Sequence, residues 1–288
     1  NKVYSIPMLL LIGWRGSPRS YDEPQHEAKG AITQKLLKLM NIDYCILREK
    51  KDLNKLNKII KKSKKNKVPV ACLIENIPLF ITTNIGKTIK KKIVSGASLK
   101  REDVIKNLLK NIKRKTNIIS TTGFTSRELM SIRLIKKYDK GNDFYMVGGM
   151  GHSSMVALGT SLFTKNQTIC LDGDGSMLMH LGSLNTSGLN ANKNFKHILL
   201  NNNSHESVGG QITNADKVDF RKLTKSLNYK KYFIVKNNKD LSIKLKKFIK
   251  SNGPSFLEIK IKNSSMSNLI RPKPGSLKKI KNIFMDRV

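Results

Sequence analysis

Acidic residues are scarce in this chain: Asp and Glu together number 20 against 55 Lys and Arg, a formal net charge of +35 over 288 residues. So lopsided a balance raises a nucleic-acid or anionic-membrane partner at once. The lysines, however, are scattered through every segment in company with Asn and Ile, as in KKDLNKLNKIIKKSKKNK (51–68), KTIKKKI (87–93) and SLKKIKNIF (276–284). No aromatic residues interleave with them, and no zinc-finger or helix-turn-helix spacing accompanies them. The pattern predicts a solvated basic surface without a nucleic-acid site, whose field still draws in small anions.

Cysteine is equally sparse. Cys45, Cys72 and Cys170 stand far apart in the chain, so neither a zinc knuckle nor a CxxC-type redox motif is present. They read as buried thiols of a reducing compartment, which points to the cytoplasm. No apolar run approaches the roughly eighteen residues that a membrane span requires, no signal peptide opens the chain, and there are no internal repeats. The sequence enters from Asn1 directly on VYSIPMLLLIGW, a strand already in progress, and so reads as a piece missing its natural beginning.

The length suits two ordinary domains better than one large one. IPMLLLIGW (6–14) is a continuous apolar run, the pattern of a parallel strand buried on both faces. A polar loop (15–30), a helical stretch AITQKLLKLMNI, a second helix over 52–63 and a buried strand VPVACLIE (68–75) follow. Residues 81–115 are Lys-rich and weakly patterned, and predict a linker with a helix near 101–113. From 116 the pattern restarts. Strands are predicted at 143–149, 167–172, 195–201, 232–236 and 255–261, with helices at 152–163, after Ser176, around 218–227 and through 250. Strands alternating with helices predict α/β architecture with parallel, doubly wound sheets, in which ligands sit at the carboxyl ends of strands.

At one such end the segment CLDGDGSMLMHLG (170–182) crowds Asp172, Gly173, Asp174 and Gly175 together before helical spacing resumes. A strand-to-helix turn needs one glycine and one capping residue, and Ser176 supplies the cap, which leaves Asp174 free to hold something. Twenty-five residues lie between Gly175 and Asn201, enough for one helix and one return strand. The strands ending at Asp172 and Asn201 are therefore expected to be neighbours. That brings the Asp174 carboxylate near the Asn202 amide oxygen, beside a helix start that favours phosphate. Magnesium takes six oxygens and keeps phosphate and water among them, so it suits this set.

Gly-Asp-Gly followed at this distance by Asn-Asn resembles the cofactor motif of the thiamine-diphosphate enzymes. Five blocks extend the likeness from residue 3 to about residue 262: GWRGSPRSYDEPQHEAKGAIT, STTGFTSREL, VGGMGHSSMVALG, CLDGDGSMLMHLGSL and FKHILLNNNSHESVGGQ. Together they resemble the phosphonopyruvate decarboxylase family. The sulfopyruvate decarboxylases share several blocks, but HESVGGQ is closer to the phosphonopyruvate branch. Asn203, where the family has glycine, and Gly149, often serine there, are departures beside the cofactor.

The resemblance implies a thiamine-diphosphate-binding fold, with residues 1–80 the second part of a pyrimidine-binding domain, 81–115 a linker and 116–288 a complete diphosphate domain. It implies non-oxidative decarboxylation of phosphonopyruvate to phosphonoacetaldehyde and CO2 in phosphonate biosynthesis, with thiamine diphosphate and Mg2+. Asp174, Asn202 and the carbonyl of Ser204 are the expected metal ligands. Gly149, Met150, Gly151, Gly173, Gly175 and Ser176 are expected around the cofactor, with Met150 the bulky residue under its thiazolium ring. His26 is the expected proton relay, and His205, just after the metal loop, is expected to meet the substrate. Arg15 and Arg127 are the preferred holders of the anionic tail, ahead of Arg19. His152 is expected to serve a helix start, His180 to pack inside a helix and His197 to say little. The activating glutamate of the family belongs to a part of the pyrimidine domain that this sequence does not cover, so neither Glu23 nor Glu75 takes that role. Active sites shared between subunits imply a homo-oligomer, at least a dimer. The competing readings are a sulfopyruvate or other 2-oxo acid decarboxylase, and a non-catalytic basic binding protein on the same fold.

Overall fold

The computed structural model describes residues 4–19, 22–75, 97–271 and 274–288, so the first part of the expected 81–115 linker lies outside it. The chain divides into two compact units, residues 1–88 and 89–288. The first contains β1 (Met8–Gly13), α1 (Pro24–Leu39), β2 (Asp43–Leu47), α2 (Leu53–Asn66) and β3 (Pro69–Ile74). Its three strands are parallel in the order β1-β3-β2. Alternation along β3 sends Ala71 and Leu73 to a core with Trp14 and Leu37, while Cys72 faces Cys45, Leu47, Leu56 and Ile59.

Among the described strands β1 is outermost: β3 lies between β1 and β2, and Leu11 on β1 is 63% exposed. Two readings of this unit are corrected. The loop expected through residue 30 ends at Pro24, which starts α1 with a pre-set φ. Gly30, mistaken for the end of that loop, lies inside α1 because the backbone of Gly16 presses on it; a Cβ there would lie 1.7 Å from the Gly16 carbonyl oxygen. Cys45 and Cys72, distant in sequence, stand directly opposite each other on β2 and β3. The lysines within α2 are all exposed, as a solvated basic face requires.

The second unit opens with α3 (Arg101–Asn111) and continues through β4 (Asn117–Ser120), α4 (Phe124–Arg133), β5 (Asn142–Tyr145), α5 (Ser153–Phe163) and β6 (Thr168–Gly173). Then come α6 (Asp174–Met179), α7 (Ser183–Asn190), β7 (Phe195–Asn201), α8 (Phe220–Ser226), β8 (Lys231–Val235), α9 (Asn238–Lys250), β9 (Ser255–Lys260) and α10 (Pro274–Met285). All six strands are parallel, in the order β5-β4-β6-β7-β9-β8. The period-2 alternation of strands divides the core in two. Ile169, Leu171, Ile198 and Leu200 share one cluster with Ile105 of α3, Leu129 of α4 and Phe248 of α9. Cys170 and Leu199 meet Leu158, Met177, Leu184, Phe220 and Phe284 on the other face. Helices therefore cover both faces of the sheet, as the alternation predicted. The single helix expected after Ser176 is two helices, α6 and α7, separated at His180–Gly182, and β2, β4, α4 and α10 were not anticipated.

Candidate active site

The strand order of the second unit reverses at β4: the chain steps outward to β5 and then returns to the other side as β6. A reversal of this kind opens a crevice at the carboxyl ends of the two strands, where doubly wound sheets take ligands. The turns that leave β4, β5 and β6 are tied together there. Thr121 Oγ1 lies 2.7 Å from Ser176 Oγ, which also accepts the Gly151 N–H at 3.0 Å. Ser176 is therefore not the helix cap expected of it. α6 begins at Asp174 after an extended Gly173, which has no side chain to cap it, and the Asp174 carboxylate takes that residue's own N–H. Gly148, Gly149 and Gly151 all have positive φ, a conformation that presents Met150 in a tight turn at the same end of the sheet.

β6 and β7 pair in parallel with Gly173 opposite Leu200, so the loops after them are neighbours, as the spacing predicted. Asp174 is 2% exposed. Its carboxylate accepts the Thr213 hydroxyl and the Asn202 backbone N–H, and no Lys or Arg pairs with it among the described residues. Burial pushes its pKa up, with the Thr213 hydrogen bond the main opposing influence. Asn202 Oδ1 accepts the Ser204 N–H at 3.1 Å, and Asn202 Nδ2 donates to Glu206 at 3.1 Å. Ser204 faces Ile212 in an antiparallel bridge whose hydrogen bonds belong to Asn203 and His205, leaving its own carbonyl outside the ladder. Its hydroxyl is buried without a partner. A buried carboxylate without a Lys or Arg partner among the described residues, an oriented amide oxygen and a carbonyl outside the ladder form a hard-oxygen donor set that fits a magnesium ion. Asn203, between them, has φ +55°, which explains how asparagine replaces glycine there: it is the residue that best tolerates this conformation after glycine.

Comparison with known proteins agrees with this geometry. Residues 123–259 match the family model for the thiamine pyrophosphate enzyme, C-terminal TPP binding domain. The phosphonopyruvate decarboxylase of Streptomyces viridochromogenes is 32% identical over 281 residues, covering 93% of this chain and 69% of that protein. The enzyme of the same name from Streptomyces hygroscopicus is 31% identical with the same coverage. The chain belongs to the thiamine-diphosphate-dependent decarboxylases. Sulfopyruvate decarboxylase subunit beta of Methanocaldococcus jannaschii is also similar, 39% identical over 118 residues that cover 41% of this chain and 60% of that subunit. The α/β fold with parallel sheets is the thiamine-diphosphate-binding fold, and membership in an enzyme family sets aside the non-catalytic reading.

Around this decarboxylase's crevice the histidines divide by environment. The His205 ring lies against Gly175, so close that a Cβ there would sit 2.4 Å from its Cε1 and 3.1 Å from Thr213 Cγ2. Gly175→Ala must therefore displace both the imidazole and the residue that bonds Asp174. The expected cost is about 1–3 kcal/mol of overpacking, seen as a lower melting temperature with and without cofactor; unchanged melting in both states would show that the ring moves aside freely. The His152 and His180 rings pack against each other, tilted by 36° with centroids 4.3 Å apart, and His180 stands at the end of α6 rather than inside it. His197 is the third residue of β7, fully buried, with Nδ1 3.2 Å from the Tyr229 hydroxyl and Nε2 3.4 Å from Asp172. Asp172 itself accepts the Gly173 N–H at 2.9 Å. The extra acid before Gly-Asp-Gly thus faces the core beside Cys170 and His197, while Asp174 serves the crevice.

Arg127 is half-buried on α4, 5.9 Å over the Phe124 ring, and burial alone lowers its pKa. No carboxylate offsets that burial among the described residues. The loop that starts α4 touches the metal loop, since a Cβ on Gly123 would lie 2.9 Å from Ser207 Oγ. Arg15, in the first unit, is committed differently: its guanidinium grips Asp22 through two nitrogens and is 62% exposed. Asp22 is held well below the usual carboxylate range, first by Arg15, and also accepts the Gly16 N–H and faces His26 Nδ1 at 2.9 Å. His26 lies in the first turn of α1, not in a loop. An ionised Asp22 only accepts, so Nδ1 carries the proton and neutral His26 keeps Nε2 as a base. Glu75 is engaged by Arg48 and Ser17, which outweigh burial and lower its pKa. Thr213, Thr121 and Glu206 were given no role at the sequence level: Thr121 and Glu206 lie inside blocks of the family resemblance, Thr213 outside them, and only the folding of their loops shows what each one bonds.

Proposed function

We propose that this decarboxylase converts phosphonopyruvate to phosphonoacetaldehyde and CO2, holding thiamine diphosphate through Mg2+ at Asp174, Asn202 and the Ser204 carbonyl. The observation that carries the cofactor assignment is the buried Asp174 carboxylate, without a Lys or Arg partner among the described residues, beside the Asn202 amide oxygen and the Ser204 carbonyl at the carboxyl ends of β6 and β7. When bound, thiamine diphosphate supplies a nucleophilic carbon for the 2-oxo group and a sink for the electron pair released with CO2. The chain's part is orientation: Gly173, Gly175 and Ser176 shape the diphosphate end, while Met150, held between Gly149 and Gly151, supports the thiazolium ring. His26, oriented by Asp22, and His205 are assigned the proton transfers. In this reading residues 1–80 belong to a pyrimidine-binding domain, residues 116–288 form the diphosphate domain, and the enzyme works in the cytoplasm of its cell as an oligomer of at least two chains.

Arg127 is the preferred holder of the phosphonate, because a desolvated guanidinium without a carboxylate is completed by an anionic ligand; Arg15 takes a secondary role, being already neutralised by Asp22. A charge-assisted contact of this kind contributes about 1.5–3 kcal/mol. Arg127→Ala is expected to lower kcat/KM for phosphonopyruvate roughly ten- to a hundredfold while leaving that for pyruvate within about threefold. CO2 release from phosphonopyruvate, sulfopyruvate and pyruvate measures this; an equal loss toward all three rejects the assignment. The second reading, sulfopyruvate as substrate, draws on the 39% identity to the archaeal subunit, and the same panel decides it.

A further inference from the structure

We propose that Arg101 and Glu206 are positioning residues that set which way round the Asn202 amide faces; the proposal rests on Asn202 being a metal ligand. Arg101, the first residue of α3, is 4% exposed and donates from Nη2 to Glu206 Oε2 at 2.7 Å. The same carboxylate oxygen accepts from Asn202 Nδ2 at 3.1 Å. Asn202 has an oxygen and an NH2 group of nearly equal shape, and the two differ completely toward a cation. The Glu206 oxygen that faces the amide also takes an N–H from Arg101 and so serves as an acceptor, which turns the NH2 toward Glu206 and Oδ1 away. That oxygen has two lone pairs: one takes the Ser204 N–H at 3.1 Å, and the other is left for the metal.

Glu206 can do this only while it is itself held in place, in a nearly dry setting where its side chain is 7% exposed. Arg101 holds it. Its other nitrogen donates to Glu128 Oε1 at 3.0 Å and to the Ser264 carbonyl at 3.2 Å, and Glu128 in turn accepts the Met266 N–H at 3.2 Å. The guanidinium is thereby pinned between α4 and the segment after β9. From there it fixes a loop 105 residues away in sequence. Outer-shell partners of this type typically change metal affinity about ten- to a hundredfold when removed.

The test is a double-mutant cycle read as Mg2+ affinity, by calorimetric titration of the full chain with Mg2+ at saturating thiamine diphosphate. Glu206→Gln keeps the shape but loses the obligate acceptor, and is expected to weaken Mg2+ binding about ten- to a hundredfold with an unchanged circular-dichroism spectrum. In an Asn202→Ala background the same substitution should add nothing, because its effect passes through the amide. Unchanged affinity for Glu206→Gln alone, or an equal further loss in the Asn202→Ala background, overturns the proposal while leaving the metal assignment standing. If Asn202→Ala itself leaves Mg2+ affinity unchanged, the metal assignment fails and the proposal falls with it. Should Glu206→Gln not fold, Arg101→Lys, which keeps the charge but not the planar fork, replaces it in the cycle. A severalfold loss that vanishes in the Asn202→Ala background supports the proposal, and a loss that persists there overturns it.

Discussion

Asp174→Ala is expected to abolish Mg2+-dependent binding of thiamine diphosphate, with an affinity loss above about a hundredfold, while the apo-protein folds as before. Asp174 is a buried carboxylate at the crevice, held by hydrogen bonds from Thr213 and Asn202 and without a Lys or Arg partner among the described residues. It is the anionic protein ligand in the proposed donor set, so the protein's hold on a divalent cation bridging to the diphosphate depends chiefly on it. Removing the carboxylate from the apo-protein, by contrast, relieves a desolvated charge while leaving the Thr213 hydroxyl and the Asn202 N–H without their acceptor, two opposing effects of about 1–3 kcal/mol each that largely offset. The expected pattern is therefore a separation of two readouts. Calorimetry with thiamine diphosphate and Mg2+ should show no binding at concentrations that saturate the wild type, and the melting temperature without cofactor should stay within a few degrees. Retained Mg2+-dependent affinity rejects Asp174 as the metal ligand. Lost affinity with a collapsed melting temperature assigns the residue to the fold.

How much of this was legible in the sequence depends on the range over which each feature is determined. β7 follows the apolar run FKHILLN residue for residue, because a central strand buried on both faces needs little beyond local hydrophobicity. The same reasoning places β1 within the run at 6–14, as a parallel strand beside β3. Gly30 punctuates the sequence as a loop but serves a helix-to-backbone contact with Gly16, a tertiary fact. The pairing of Asp174 with Asn202 could be anticipated because both follow strands one crossover apart, and parallel topology makes such strands neighbours. Ser176 was misread for the opposite reason: a serine in the first turn has many partners, and here Thr121, 55 residues upstream, wins over the helix's own N–H groups. The tie from Arg101 to Glu206 left no trace in local pattern, since Arg101 lies 105 residues away and looks like a surface residue at a helix start.

Lys196→Met is expected to raise the stability of the second unit at pH 7 by about 1–3 kcal/mol, and the gain should shrink as the pH rises. Lys196 is 1% exposed on β7. Its ammonium donates to the Ser251 carbonyl and, at 3.1 Å, to the Ser255 hydroxyl, and lies 5.7 Å from the Phe248 ring. No carboxylate pairs with it among the described residues, so burial pulls its pKa from 10.5 down to about 8. A lowered folded-state pKa for a cation means that the unfolded chain binds more protons between those two values, and stability then rises with pH across the window. The penalty is fully present below about 8 and is relieved as the pH climbs toward 10.5. Its ceiling is about 3 kcal/mol from the size of the displacement, reduced in the variant by leaving Ser251 and Ser255 each without a donor. For a unit of this size the gain at pH 7 corresponds to a rise of several degrees in melting temperature. Denaturant unfolding of wild type and Lys196→Met at about pH 7, 8.5 and 10, which span the window, measures it directly. The prediction requires the two curves to converge because the wild type gains stability; a difference that stays constant with pH, or a variant less stable throughout, would show that the hydrogen bonds to Ser251 and Ser255 outweigh the cost of burying the charge.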